Sequence, residues 1–153
     1  MGVGWLPDGF ITPARLDLPT GHHLRPIRGD DVDIDYPAVM ASRETLWARY
    51  GEMWGWPPAT MTYRQDRDDL LHHEAEIEAQ EAFNYAVLDA DETALLGCLY
   101  IDPPERDARP GSDAFVSWWL VDECAGSDLE RALAGAVPRW LAETWGFRSV
   151  HFH

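Results

Sequence analysis

Two apolar runs, FNYAVLD at residues 83–89 and ALLGCLYID at residues 94–102, are separated only by the polar connection 90–93. A link that short folds the runs back on each other, so they form a β-hairpin. A third run, DAFVSWWLV at 113–121, follows the loop PPERDARPGS and adds a further strand, in which Trp118 and Trp119 face opposite sides. Everything else must pack around these strands. Ahead of them, HLRPIR at 23–28 is a short strand with GDD as its turn. Tyr36, Val39, Met40, Leu46, Trp47 and Tyr50 then recur at helical spacing, giving one helix of about four turns with Pro37 in its first turn. GEMWGWPP at 51–58 breaks that helix, and Thr62 with Gln65 makes a capping box that opens a second one. After the third run a helix is expected over 127–145, with Pro138 inside it to kink or split it, and FRSVHFH at 147–153 ends the chain as a strand. Hairpins followed by one strand-helix-strand crossover describe an α/β fold with a mixed, mostly antiparallel sheet flanked by helices. Residues 1–21, rich in Gly and Pro with apolar anchors such as Trp5 and Phe10, are expected to lie over the domain as an extended arm. Residues 22–153 form the single domain, as 153 residues allow.

Charge narrows the partners. Twelve basic against twenty-seven acidic residues leave a net charge of −15, which speaks against nucleic acid and against anionic membrane surfaces. All twelve basic residues are arginine, so Schiff-base chemistry and the Gly-Lys-Ser/Thr nucleotide loop are excluded. An acidic surface serves solubility, and it also suits a cationic small molecule or a basic peptide. Cys98 and Cys124 have no metal-ligand spacing, no disulfide framework is implied, and a cytoplasmic location is expected. His151 and His153 share a strand face without a visible third ligand, so no metal site is expected, and HHEAE at 72–76 reads as a solvated helix face.

The stretch VDECAGSDLERAL at 121–133 admits two readings. Gly126 at a strand-to-helix junction can open a nest of backbone amides for a phosphate. Alternatively, Ser127 and Glu130 stand at capping-box spacing and Asp128 adds a negative charge to the first turn, so the helix can cap itself with no ligand.

The order of elements, with HLRPIRGDDVD, YAVLDADETALLGCLYID, VSWWLVDECAGSDLERAL and WGFRSVHFH as its signatures, resembles the GNAT superfamily of N-acetyltransferases over residues 23–153. The resemblance implies a GNAT-like sheet ending at the fifth core strand and an acetyl-CoA cofactor. Leu120 and Val121 would pair with its pantetheine arm, and the amides of Ala125, Gly126, Ser127, Asp128 and Leu129 would cradle its pyrophosphate. It also implies a carboxylate proton acceptor at Asp113 and an acceptor pocket shaped by Glu52, Trp54 and Trp56, whose rings and counter-charge suit a cation. Two departures stand out. Glu123 and Asp128 replace a basic residue and a small one in the loop pattern, and the helix that often carries a general-acid tyrosine is not represented. The expected function is transfer of acetyl from acetyl-CoA to a small cationic amine. The alternative is a non-catalytic GNAT-like binding or structural subunit that has lost the cofactor and uses its sheet edge to form a homodimer.

Overall fold

The computed structural model describes residues 5–107 and 109–153. The first four residues of the expected arm lie outside the described residues. Six strands form one sheet in chain order: β1 (Leu16–Asp17), β2 (His23–Pro26), β3 (Phe83–Leu88), β4 (Leu95–Asp102), β5 (Ala114–Leu120) and β6 (Val150–Phe152). Every neighbouring pair is antiparallel except β5 and β6, which are parallel because α4 (Asp128–Glu143) carries the chain between them.

The period of two along each strand divides the core. Tyr85, Val87, Leu99, Ile101 and Val116 face α4, whose Leu129, Leu133, Val137, Trp140 and Leu141 are buried against them. Ala86, Leu88, Cys98, Tyr100 and Trp119 face the other way, toward α1 (Val32–Ala41), α2 (Arg43–Trp54) and α3 (Tyr63–Glu78). Trp118 and Trp119 accordingly lie on opposite faces.

The helical expectations need correction. Instead of one helix over 36–50 there are two, α1 and α2, which meet at buried Ser42. Helix α1 begins at Val32, because Asp31 accepts the Arg28 N–H (2.8 Å) and is clamped by both terminal nitrogens of Arg25 (2.8 and 2.9 Å). Pro37 therefore falls in the second turn. The helical pattern also runs on through Glu52 and Met53, and α2 ends only at Gly55, which takes the left-handed conformation (φ 62°). Pro138 does not split α4, since the Ala134 carbonyl it leaves unpaired lies on the exposed side.

The described part of the expected arm, residues 5–21, packs against the sheet. Tyr85 donates its hydroxyl to Pro13 O (2.6 Å), Gln80 donates to Phe10 O (2.9 Å), and Leu16 pairs with Leu24 to put β1 on the sheet edge. Trp5 stacks on Phe147 and donates its indole N–H to Asp113 O (2.8 Å), so the arm also reaches the β5–β6 junction. No helix among the described residues is long and apolar enough to cross a membrane.

Gly97 lets β4 and β5 approach. A Cβ there would sit 2.0 Å from Trp119 O and 3.0 Å from the Leu120 Cα, both backbone atoms that cannot swing aside. Replacing Gly97 with Ala is expected to cost about 1–3 kcal/mol by overpacking, read as a lower urea midpoint at unchanged slope.

Candidate active site

Strand β5 is paired with β4 from Phe115 to Leu120, but with β6 only from Ala114 to Val116. His153 donates its N–H to Val116 O (2.8 Å), so the Val116 peptide faces β6, whereas Val121 donates to Leu96 O (2.8 Å) toward β4. By alternation Trp118 and Leu120 turn their peptide groups to the side where β6 has ended. The expected pair Leu120 and Val121 is thus placed differently: Leu120 lies on the open edge, Val121 is spent inward, and Trp118 is the second open residue.

At the end of β5 a short 3-10 turn, Asp122–Cys124, leads into α4. Ala125 N–H is given to Asp122 O (3.1 Å) and Ser127 N–H to Cys124 O (3.1 Å). Ser127 caps the helix, its Oγ accepting the Glu130 N–H (3.2 Å). Glu130 does not complete the box on Ser127; its Oε1 accepts the N–H of Gly126 (3.1 Å) instead. Arg131 holds Gly126 O (2.9 Å) and pairs with Asp128, whose side chain is 83% exposed. Asp128 therefore points away from the amides, while Glu130 places a carboxylate on one of them. The amides of Asp128 and Leu129, at the first turn, have no partner within the helix.

On the face opposite α4, the sheet and α3 enclose a cavity of about 430 Å³. Trp54, Trp56 and Tyr100 form its aromatic side, and Trp54 stacks on Tyr50 (4.5 Å) and meets Tyr100 edge-on (5.1 Å). Tyr50 donates to Ser117 Oγ (3.2 Å), and Trp119 donates to the Tyr100 hydroxyl (2.9 Å), which ties this wall to β5. Five carboxylates line the remainder: Asp35, Asp66, Asp69, Glu76 and Asp102.

Their surroundings set them apart. Arg106 bridges Glu76 (2.6 Å) and Asp102 (3.0 Å). Glu76 is held down to about 2 by hydrogen bonding from His73 and Arg106. Asp102 is raised to about 6, because burial outweighs Arg106. Asp35 is pushed well above the usual carboxylate range, first by burial and then by its bond with Asp66 and the charges nearby. Burial also raises Asp66 and Asp69.

Of the three residues expected to shape an acceptor pocket, Trp54 and Trp56 line this cavity, while Glu52 is exposed and does not. Asp113 is not there either. Its Oδ2 accepts the N–H groups of Arg148 (2.6 Å) and Ser149 (3.1 Å), joining β5 to the segment that enters β6. HHEAE is not simply a solvated face, because Glu76 turns inward and is buried. His151 and His153 have separate partners: His151 meets Asp107 (2.8 Å), and the His153 ring lies against Phe115 and Tyr50. Sequence reasoning missed Asp35, Asp66, Asp69 and Asp102, and the one available signal was that α3 carries more carboxylates than its exposed face needs.

A parallel β5–β6 seam that opens halfway, with a helix N-terminus at its mouth, is the architecture of the GNAT acetyltransferases, and this chain has their fold. Neither a protein-family model nor a curated protein matches the sequence. Among solved structures, it is similar to a ribosomal-protein-S5-alanine acetyltransferase from Vibrio fischeri, at 17% identity and a TM-score of 0.67, over 90% of this chain and 72% of that one. A ribosomal L7/L12 alpha-N-protein acetyltransferase in complex with coenzyme A is 16% identical with a TM-score of 0.65, over 84% and 67%. A spermidine N-acetyltransferase from Vibrio cholerae, in complex with CoA and spermine, is 10% identical with a TM-score of 0.60, over 87% and 70%.

The buried acids carry a pH signature. With its pKa raised from 3.8 to about 6, Asp102 binds a proton more tightly folded than unfolded, so lowering the pH through that window adds stability. Glu76, lowered from 4.5 to about 2, works in the opposite sense and its contribution is lost as pH falls from about 4.5 toward 2. Urea melts should therefore show stability rising from pH 7 toward 5 and falling again below about 4.5, with Asp102→Asn flattening the first limb.

Proposed function

We propose that the protein is an N-acetyltransferase that moves the acetyl group of acetyl-CoA to a small cationic amine. The observation that carries this reading is adjacency: the open stretch of β5 at Trp118 and Leu120 adjoins, through Tyr50, Ser117, Tyr100 and Trp119, a cavity walled by tryptophan and lined by carboxylates. Solved structures with this fold include acetyltransferases holding CoA, which supports the use of an acyl-CoA.

The residues fit the two halves of that cofactor differently. Extended peptide groups at Trp118 and Leu120 suit a pantetheine arm, which pairs like a strand. The amides of Asp128 and Leu129 suit pyrophosphate oxygens at a helix N-terminus, and Gly126 joins them once Glu130 withdraws. When bound, acetyl-CoA supplies the activated acyl thioester.

In this reading the ring faces of Trp54 and Trp56 and the cavity carboxylates hold the cationic acceptor. Asp102, buried on β4 and raised to about 6, is one of these carboxylates and is mostly ionised at neutral pH. Asp113 is a positioning residue that keeps the β5–β6 seam in place.

One observation favours the alternative of a GNAT-fold binding subunit without cofactor, namely that Glu130 already sits on Gly126. Calorimetry separates the two. Acetyl-CoA at 100 times its Kd should stabilise the protein by about 2.7 kcal/mol, and Glu130→Ala should tighten binding while Asp128→Gly changes it little. No heat and no rise in Tm for either wild type or Glu130→Ala would overturn the transferase reading.

A further inference from the structure

The lining of the cavity contains buried acceptors without a partner among the described residues. Asp66 is 2% exposed and its Oδ2 has no hydrogen-bond partner; Asn84 is 3% exposed and its Oδ1 has none. Both residues line the cavity, Asp66 from α3 and Asn84 from β3. Buried acceptors left unpaired are costly, so such positions call for a ligand that donates. The local charge has the matching sign. Arg106 answers Glu76 and Asp102, and Arg25 answers Asp31, but among the described residues Asp35, Asp66 and Asp69 have no arginine paired with them; His73 acts on Asp66, and His73 and His72 act on Asp69. Buried acceptors of this kind suit an organic cation with N–H donors.

Position then distinguishes this group from the reacting one. Asn84 lies opposite Tyr100 on β4, and Tyr100 lies opposite Ser117 on β5. The open edge is beyond β5, so it is three strand spacings from Asn84, on the order of 14 Å. A nitrogen held at Asp66 and Asn84 is too far away to attack an acyl group at that edge.

We propose that Asp66 and Asn84 are specificity-determining residues that anchor a second, N–H-bearing cationic group of a linear acceptor, whose reacting amine lies about 10–14 Å away at the β5 edge. This rests on the transferase reading for the identity of the far end, but the anchor can be measured without acetyl-CoA. The probes for titration calorimetry on the full chain are octane-1,8-diamine, octylamine, and the diamine trimethylated at both nitrogens. The diamine should bind at least about tenfold more tightly than either other probe, because a site built to accept N–H bonds rejects ligands that lack them. Asp66→Asn and Asn84→Leu should each remove that preference. Should Asp66→Asn fail to fold, Asn84→Leu and the three probes on wild type still decide the matter. Equal binding of octylamine and the diamine, or full retention of the preference in Asn84→Leu, overturns the proposal. If the diamine binds as expected but acetyl-CoA does not, the anchor stands and the transferase reading falls; acetylation of mono- and diamines with equal kcat/KM and equal affinity gives the reverse.

Discussion

Strand β5 is bonded along its length to β4 but to β6 over only three residue pairs. The candidate site depends on that imbalance. Backbone groups at Trp118 and Leu120 face outward because the parallel partner has ended, and the alternation that sets them free also sends Val121 inward to Leu96. The seam that remains is secured from several directions. Asp113 gathers two N–H groups from the segment entering β6, and Trp5 reaches the Asp113 carbonyl from the arm. His153 adds a last bond to Val116. A short parallel pairing thus separates two different uses of one strand: a fixed lower half and an upper half whose hydrogen bonds remain to be made.

The same strand couples the two chemical regions. Its alternate side chains, Ser117 and Trp119, hold the hydroxyls of Tyr50 and Tyr100, and those rings support Trp54. Aromatic packing therefore forms the wall on which the acidic interior and the strand meet, with its polar tips satisfied.

Much of this was legible in the sequence, for identifiable reasons. The hairpin and β5 could be read because uninterrupted apolar runs with short links have few alternatives. Trp54 and Trp56 flank Gly55, where α2 ends, and both line the cavity. Ser42 could not be read, since a buried serine between two helices reflects tertiary packing rather than local propensity. Nor could the inward turn of Glu76, which depends on Arg106, thirty residues further along the chain. The acids of the cavity come from α1, α3 and β4, and no spacing within one element brings them together. At the α4 N-terminus the acidic first turn was evident, but whether Glu130 would reach Ser127 or Gly126 is decided by the left-handed backbone of Gly126 (φ 73°).

The Asp35–Asp66 pair makes the cavity a weak acid as well as a container. Burial and mutual repulsion keep a proton on Asp35 at a pH where an exposed carboxyl would have lost it. A positive group settling beside Asp66 lowers the cost of ionising its neighbour, so ligand uptake and proton release are linked, each favouring the other. The interior then trades one positive charge for another and is not left with a bare negative one. Binding of the proposed cation would accordingly depend on acidity, and in a lightly buffered solution it would itself make the solution more acidic.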